Sequence, residues 1–360
     1  MNIITVIGAR PQFVKAAVVS RAIQSLAAQG MSVREHILHT GQHYDANMSD
    51  LFFTQLGIPA PQWHLNRGNS IRDMQAAIEP ILAAEKPDIV LVYGDTNSTL
   101  AGALATHELH IPIAHIEAGL RSFNTSMPEE TNRIETDRLS RWLFCPTPTA
   151  VQNLRNEHIT QGVHHVGDVM YDAALLFMPA QSEQEKLLQQ YNLTSKSFAL
   201  ATIHRAATAE NEPALQAVFE ALAQLPMPVI LPLHPHTAKT VNASTQLQQQ
   251  LRQATNIRVI DPVGYREILV LEHHAQLILT DSGGMQKEAY FQRTPCITLR
   301  DETEWIETVQ AGWNQLAGTD TERILQAART KPNTQIINDY GDGHSAEKIV
   351  QLVCPNVSSY

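Results

Sequence analysis

Short apolar runs alternating with amphipathic stretches set the rhythm of the first 145 residues. Residues 3–7 form an apolar run stopped by Gly8. Residues 12–29 then place Phe13, Ala16, Ala17, Ile23, Leu26 and Ala27 on one helical face, and Gly30 follows as a helix terminator. The same reading gives strands at 35–39, 89–93, 113–116 and 143–145. Helices are expected at 49–56, 71–85, 98–108 and 131–142, with Pro87 marking the end of the second. Strand–helix alternation of this kind predicts a doubly wound, mostly parallel sheet.

The rhythm restarts near residue 198. Strands are expected at 198–202, 229–233, 258–260 and 277–280, and helices at 213–224, 246–255, 266–273 and 285–291. A chain of 360 residues exceeds one ordinary core, so the fold class is α/β with two Rossmann-like domains. The link is placed in GDVMYDAA (167–174) and the polar stretch 181–196, and a last helix at 345–354 packs back on the first domain. The expected domains are therefore 1–168, 169–343 and the returning segment 344–360.

Charge and composition remove several function classes. The net charge of −10, with no basic block, argues against a nucleic-acid surface. An apolar content of 43% and a charged content of 17% describe a globular chain. The three cysteines, Cys145, Cys296 and Cys354, are widely spaced and give neither a zinc-like pattern nor a disulfide framework. No apolar run is long enough to span a membrane and NIITVIG has no signal-peptide layout, so a cytoplasmic location is expected.

Chemistry gathers at the strand ends. The stretch 92–133 places Asp95, Glu117 and Glu129 just past successive strand ends, where open α/β sheets bind ligands. Clustered carboxylates repel one another and lose hydration, which points to proton transfer, metal binding or stabilisation of a cation. In GARPQFVK, Gly8 permits a turn, Pro11 suits the first helical turn, and Arg10 and Lys15 add positive charge to a helix N-terminus that can face an anion. Glu129 and Arg133 share a helix face, which also fits a surface ion pair. In the second unit, His204 and Arg205 follow one strand and His234 and His236 another. Ser282, Gly283 and Gly284 open a helix that can cradle a diphosphate, and Glu288 lies on the same side, able to accept ribose hydroxyls. His39 and His43 in HTGQH lack a third ligand, so no metal is expected.

Together GARPQFVK, HTGQH, GDTNST, HIEAGLR, MPEETNR, TIHR, LTDSGG, KEA, RDETEW and YGDG resemble the non-hydrolysing UDP-N-acetylglucosamine 2-epimerase family, in family order from residue 3 to about 350. The resemblance implies two Rossmann-like domains facing across a cleft in the GT-B arrangement. It implies a UDP-sugar substrate held mostly by the second domain, a homodimer, and no cofactor. It assigns catalysis to Asp95, Glu117, Glu129 and His204. Substrate contacts fall to Arg10, Lys15, Arg133, His234, Ser282, Gly283 and Glu288, with Gly284 beside them in the SGG turn.

That chemistry is elimination of UDP to a 2-acetamidoglucal and re-addition with C2 inverted, converting UDP-GlcNAc to UDP-ManNAc for surface polysaccharide. Asp95 and Glu117 would serve proton transfer or oxocarbenium stabilisation, Glu129 a second acid/base, and His204 the leaving phosphate. The chain carries GDTNST, HRAA and TEWIE where well-known members carry GDTTTT, HRRE and TERPE. GARPQF, TGQHYDANMSD, GDTNSTLAG, RSFN and DETEW are similar to the branch acting on UDP-2,3-diacetamido-2,3-dideoxyglucuronate for O-antigen synthesis. A GT-B glycosyltransferase and a non-catalytic UDP-sugar sensor are the rival classes.

Overall fold

The computed structural model describes residues 1–42, 53 and 56–354. They form two compact units, Met1–Leu176 with Asn338–Tyr360, and Phe177–Ile337. The helix expected at 49–56 falls almost wholly outside the described residues, as does His43.

The first unit runs β1 (Asn2–Ile7), α1 (Arg10–Ala28), β2 (Arg34–His39), β3 (Trp63–His64), α2 (Ile71–Glu85), β4 (Ile89–Tyr93), α3 (Asn97–Glu108) and β5 (Ile113–Ile116). It continues with α4 (Pro128–Leu139), β6 (Trp142–Cys145), α5 (Pro148–Asn156), β7 (Val163–His165) and α6 (Val169–Phe177). All seven strands pair parallel in the order β3-β2-β1-β4-β5-β6-β7. The period of two along the strands explains why one face packs as a core. Ile4 and Val6 of β1 join Val90 and Val92 of β4, and Met74, Ile78 and Leu82 of α2 cover them at helical spacing. Ser70 caps α2 by accepting the Asp73 N–H at 3.3 Å, and Lys86 ends it in the left-handed region at φ 46°.

The second unit runs α7 (Gln181–Gln190), β8 (Ala199–Thr202), α8 (Ala206–Ala209), α9 (Glu212–Ala223), β9 (Val229–Pro232), α10 (Pro235–Ala243), α11 (Thr245–Gln253) and β10 (Ile257–Ile260). It continues with α12 (Tyr265–His274), β11 (Leu277–Thr280), α13 (Gly283–Phe291), β12 (Cys296–Thr298), α14 (Ile306–Gln310), β13 (Asn314–Leu316) and α15 (Thr321–Arg329). Its sheet is also parallel, in the order β10-β9-β8-β11-β12-β13. In each sheet the order reverses at one place, between β1 and β4 and between β8 and β11. That reversal opens a crevice at the strands' carboxyl ends.

The chain returns to the first unit through α16 (Ser345–Val353), which packs against α1 through its apolar stripe of Ala346, Ile349, Val350 and Val353. Asp172 accepts the Ala346 N–H at 2.7 Å, and Tyr340 O accepts the Asp168 N–H at 3.0 Å. Where the two passes touch, a Cβ on Gly167 would lie 3.0 Å from Gly341 Cα.

Several expectations differ from this arrangement. The stretches read as the link, 167–174 and 181–196, are largely helical, in α6 and α7, and the units part after Leu176 and after Ile337. The polar look of α7 arises because only Gln184 and Leu188 of it are buried. Helix α4 begins at Pro128 rather than 131 and ends at Leu139, leaving Trp142 to open β6. Among the described residues no helix is long and apolar enough to cross a membrane.

Candidate active site

In the first unit the site forms at the β1/β4 reversal. Strand β4 ends at Tyr93, and Gly94 after it, with a φ of +64°, turns the chain sharply and brings Asp95 out of the sheet. Strand β5 ends similarly, but the residue in the left-handed region is Glu117, with φ 75°. A bulky acid in that region is unusual, and such strain concentrates at functional sites. The turn is pinned by the N–H groups of Glu117 and Ala118, both donating to Phe144 O at 3.1 Å.

Lys15, one turn into α1, reaches Glu117, with Nζ 2.5 Å from Oε1 and both side chains 9% exposed. A Cβ on Gly94 would lie 3.1 Å from Lys15 Nζ and 3.3 Å from Glu117 Oε1. The Asp95 turn, Lys15 and Glu117 therefore share one small volume. Arg133 of α4 forms an ion pair with Asp95 and a second, at 2.7 Å, with Glu130. Asn132 donates to Asp95 O at 3.0 Å, so α4 grips that turn twice.

Glu129 does not follow a third strand end. It lies half-buried in the first turn of α4, inside the same β5–β6 connection as Glu117. Its neighbour Glu130 is the enclosed acid: it accepts from Ser122 N at 2.9 Å, Ser122 Oγ at 2.8 Å and Phe123 N at 3.0 Å. Burial alone would raise its carboxyl, but the Ser122 bonds and the Arg133 guanidinium outweigh that and hold it below the usual range. The pattern PEE gave no means of telling which glutamate turns inward.

The β1–α1 turn differs from the anion cradle expected of GARPQFVK. Gln12, which is 1% exposed, accepts the N–H groups of Gly8 and Ala9 at 2.8 and 3.0 Å. Its amide nitrogen donates to Tyr93 O and Thr99 Oγ1, both at 3.0 Å. Two turn N–H groups are thus already used, and Gln12 ties the α1 start to the end of β4. Gly8 is required by crowding, since a Cβ there would lie 1.9 Å from Thr40 Oγ1. Arg10 lies half-buried at the head of α1.

In the second unit the corresponding reversal carries the other set. Asp281 follows β11, is fully buried, and accepts the N–H groups of His204 at 3.1 Å and Arg205 at 3.0 Å. Burial pushes its carboxyl up to about 6, against the opposing pull of those bonds and of the Arg205 charge. His204 Nδ1 lies 3.6 Å from Asp281 Oδ1, with the ring 40% exposed. The His234 ring stands 5.5 Å from that of His204, and His234 caps α10 by accepting the His236 N–H at 3.3 Å.

Ser282 caps α13 by accepting the Met285 N–H at 3.4 Å. The space above Gly283 is occupied by Glu304, whose Oε1 would lie 2.4 Å from an added Cβ. Above Gly284 the space is open, the nearest atoms being 3.9 Å away and including Glu288 Oε2. Gly284 and Glu288 therefore share a side, as their spacing requires. Behind Glu288 lies Glu272 of α12, fully buried, which the sequence reading missed. Burial, and then the Glu288 charge, push its carboxyl well above the usual range. Among the described residues no cluster of three or more histidines, cysteines or acids is arranged to hold a metal ion.

Comparison with known proteins places this geometry. Residues 25–354 match the family described as UDP-N-acetylglucosamine 2-epimerase. The chain is 47% identical to the UDP-2,3-diacetamido-2,3-dideoxy-D-glucuronate 2-epimerase of Pseudomonas aeruginosa, over 98% of this chain and 99% of that protein. It is 46% identical to a UDP-N-acetylglucosamine 2-epimerase homolog of Methanococcus maripaludis, with the same coverage. The crystal structure of Methanocaldococcus jannaschii UDP-GlcNAc 2-epimerase in complex with UDP-GlcNAc and UDP is similar at a TM-score of 0.90. Identity there is 39%, covering 99% of this chain and 100% of that one.

Proposed function

Because this chain belongs to the UDP-N-acetylglucosamine 2-epimerase family, we propose that it inverts C2 of a UDP-2-acetamido sugar by eliminating UDP and adding it back. The observation that carries this reading is the pair of acid–cation contacts at the β1/β4 reversal, the enclosed one of Lys15 with Glu117 and the part-buried one of Arg133 with Asp95.

The C2 proton of a 2-acetamido sugar has no carbonyl beside it, and a carboxylate cannot remove it from the intact substrate. Breaking the C1–O bond to UDP first gives C1 oxocarbenium character and makes the C2 proton acidic. Asp95 and Glu117 then stabilise the cation and take the proton, leaving a 2-acetamidoglucal and UDP. Glu129, in the same connection, returns a proton to the other face. Lys15, Arg10 and Arg133 supply positive charge to the first unit. In the second unit the α13 N-terminus at Ser282–Gly284 binds the diphosphate, Glu288 takes the ribose hydroxyls, and His204 and His234 assist the departing phosphate. No cofactor enters these steps.

The substrate pair taken as the default is UDP-GlcNAc and UDP-ManNAc. The diacetamido uronate is the second reading, supported by the 47% identity to the Pseudomonas enzyme of that name. One-dimensional proton NMR of the protein with each sugar in D₂O tests both. Deuterium entering C2 as manno signals grow supports epimerisation and identifies the sugar. UDP binding without exchange of either C2 proton would overturn the reading in favour of a glycosyltransferase.

A further inference from the structure

We infer that His115, which touches no position assigned to substrate, is a doubly protonated imidazolium that positions the acids of the first unit. The inference rests on the reading that Asp95, Glu117 and Glu129 do the chemistry. His115 lies on β5, fully buried, two residues before Glu117. Its Nε2 stands 2.7 Å from Gly94 O and its Nδ1 2.7 Å from Asp137 Oδ1.

Counting donors fixes the protons. A carbonyl oxygen only accepts, so Nε2 carries a hydrogen. Asp137 is built to stay ionised. Its Oδ2 accepts from Arg121 Nη1 at 2.8 Å and from Gly119 N at 3.1 Å, and the residue is 1% exposed. Arg121 is itself held by Glu157 through Nε at 2.6 Å and Nη2 at 2.8 Å, which fixes the guanidinium against Asp137. An ionised carboxylate also only accepts, so Nδ1 carries the second hydrogen. The four groups, His115, Asp137, Arg121 and Glu157, sum to zero charge, which makes their burial tolerable.

The mechanical consequence follows from what the two ends hold. Gly94 O belongs to the peptide that leads into Asp95, and the Gly94 N–H is fixed in turn by Ile116 O at 2.9 Å. Asp137 lies on α4, the helix that carries Glu129 and Arg133. One buried ring therefore bolts the Asp95 turn to α4, while its own strand runs on into Glu117. Replacing the ring leaves the turn held from α4 by Arg133 and Asn132 alone and releases Gly94 O, and a displacement of about 1 Å at a reacting group costs roughly 100-fold in rate.

The test has two arms. In protein labelled with ¹⁵N-histidine, both ring nitrogens of His115 should carry hydrogen, as their two acceptors require. A His115 ring nitrogen without hydrogen overturns the inference. In the second arm, His115→Gln sets its amide oxygen against the Asp137 carboxylate, whereas Asn at 137 can donate to it. His115→Gln should lower kcat for C2 exchange by roughly 100-fold with KM nearly unchanged, and adding Asp137→Asn should recover part of that loss. Unchanged kcat in the single variant, or no recovery in the double, overturns it. If the single variant does not fold, the ring spectrum of the wild-type protein still decides. Absence of C2 exchange in the wild-type protein would strike the proposed reaction and leave the ring assignment standing.

Discussion

Lys15 Nζ and Glu117 Oε1 stand 2.5 Å apart although 102 positions separate them in sequence, and this contact joins the first helix to the turn that follows β5. Neither group keeps more than 9% of its side-chain surface exposed. An enclosed pair is much more costly to break than to replace. Lys15→Met should therefore lower stability by about 3–5 kcal/mol, leaving Glu117 enclosed without its ammonium. Adding Glu117→Gln should recover part of that loss. Thermal melts of the two single variants and the double variant check this, and additive effects would mean the contact is not energetically coupled.

Gly94 gives a second expectation. Its φ of +64° penalises any side chain, and the space a Cβ would fill lies against both Lys15 Nζ and Glu117 Oε1. Gly94→Ala should cost about 1–2 kcal/mol through the backbone alone. C2 exchange should fall further than that loss of stability explains, because the methyl pushes on both partners of the pair. Deuterium washout measured well below the variant's melting temperature separates the two effects.

On α13 the contrast lies between neighbouring glycines. Gly284→Ala places its methyl in open space and improves helix propensity by about 1 kcal/mol, so stability should hold or rise. If a diphosphate approaches this backbone, UDP affinity should nevertheless drop, by about tenfold or more. Calorimetric titration with UDP reads this directly. Unchanged affinity would move the diphosphate away from Gly284.

Among the raised carboxyls, Glu35 and Asp281 show the sign of the dependence of stability on pH. Burial lifts Glu35 to about 7, against hydrogen bonds from Thr5 and Ser20, and lifts Asp281 to about 6. The unfolded chain titrates these groups near about 4, so between about pH 4 and pH 7 the folded state binds more protons. Their contribution is fully present below the unfolded value and is lost as pH rises through the folded one. Glu35→Gln should therefore raise the melting temperature more at about pH 8 than at about pH 5. Asp137 and Glu130, held low, act in the opposite direction and weaken the fold only under stronger acid.

The fold was legible in the longer strands buried on both faces, whereas the three-residue β12, equally buried, was missed. IVLVY at β4 and LILT at β11 are apolar up to the closing Tyr93 and Thr280 and read as short strands. Strands β3 and β7 were missed because they are two and three residues long, with partly exposed side chains and no apolar run. The strand-end placement of Asp95, Glu117, His204 and Ser282 was visible in local order alone. The partners of those residues were not. Gln12, His115, Glu130, Asp137 and Glu272 act through contacts across the sheet or between helices, and nothing in their immediate sequence marks them.

The close passage of Gly167 beside Gly341 bears on how the chain is assembled during synthesis. The whole second unit emerges between these two glycines, so it can fold while the first unit is still missing α16. The α1–α16 contact joins segments more than three hundred residues apart, and such distant pairings form late. Until the ribosome has released the closing helix, the face of α1 that α16 covers stays open. A chaperone that meets this nascent chain would find its exposed surface on the unit made first.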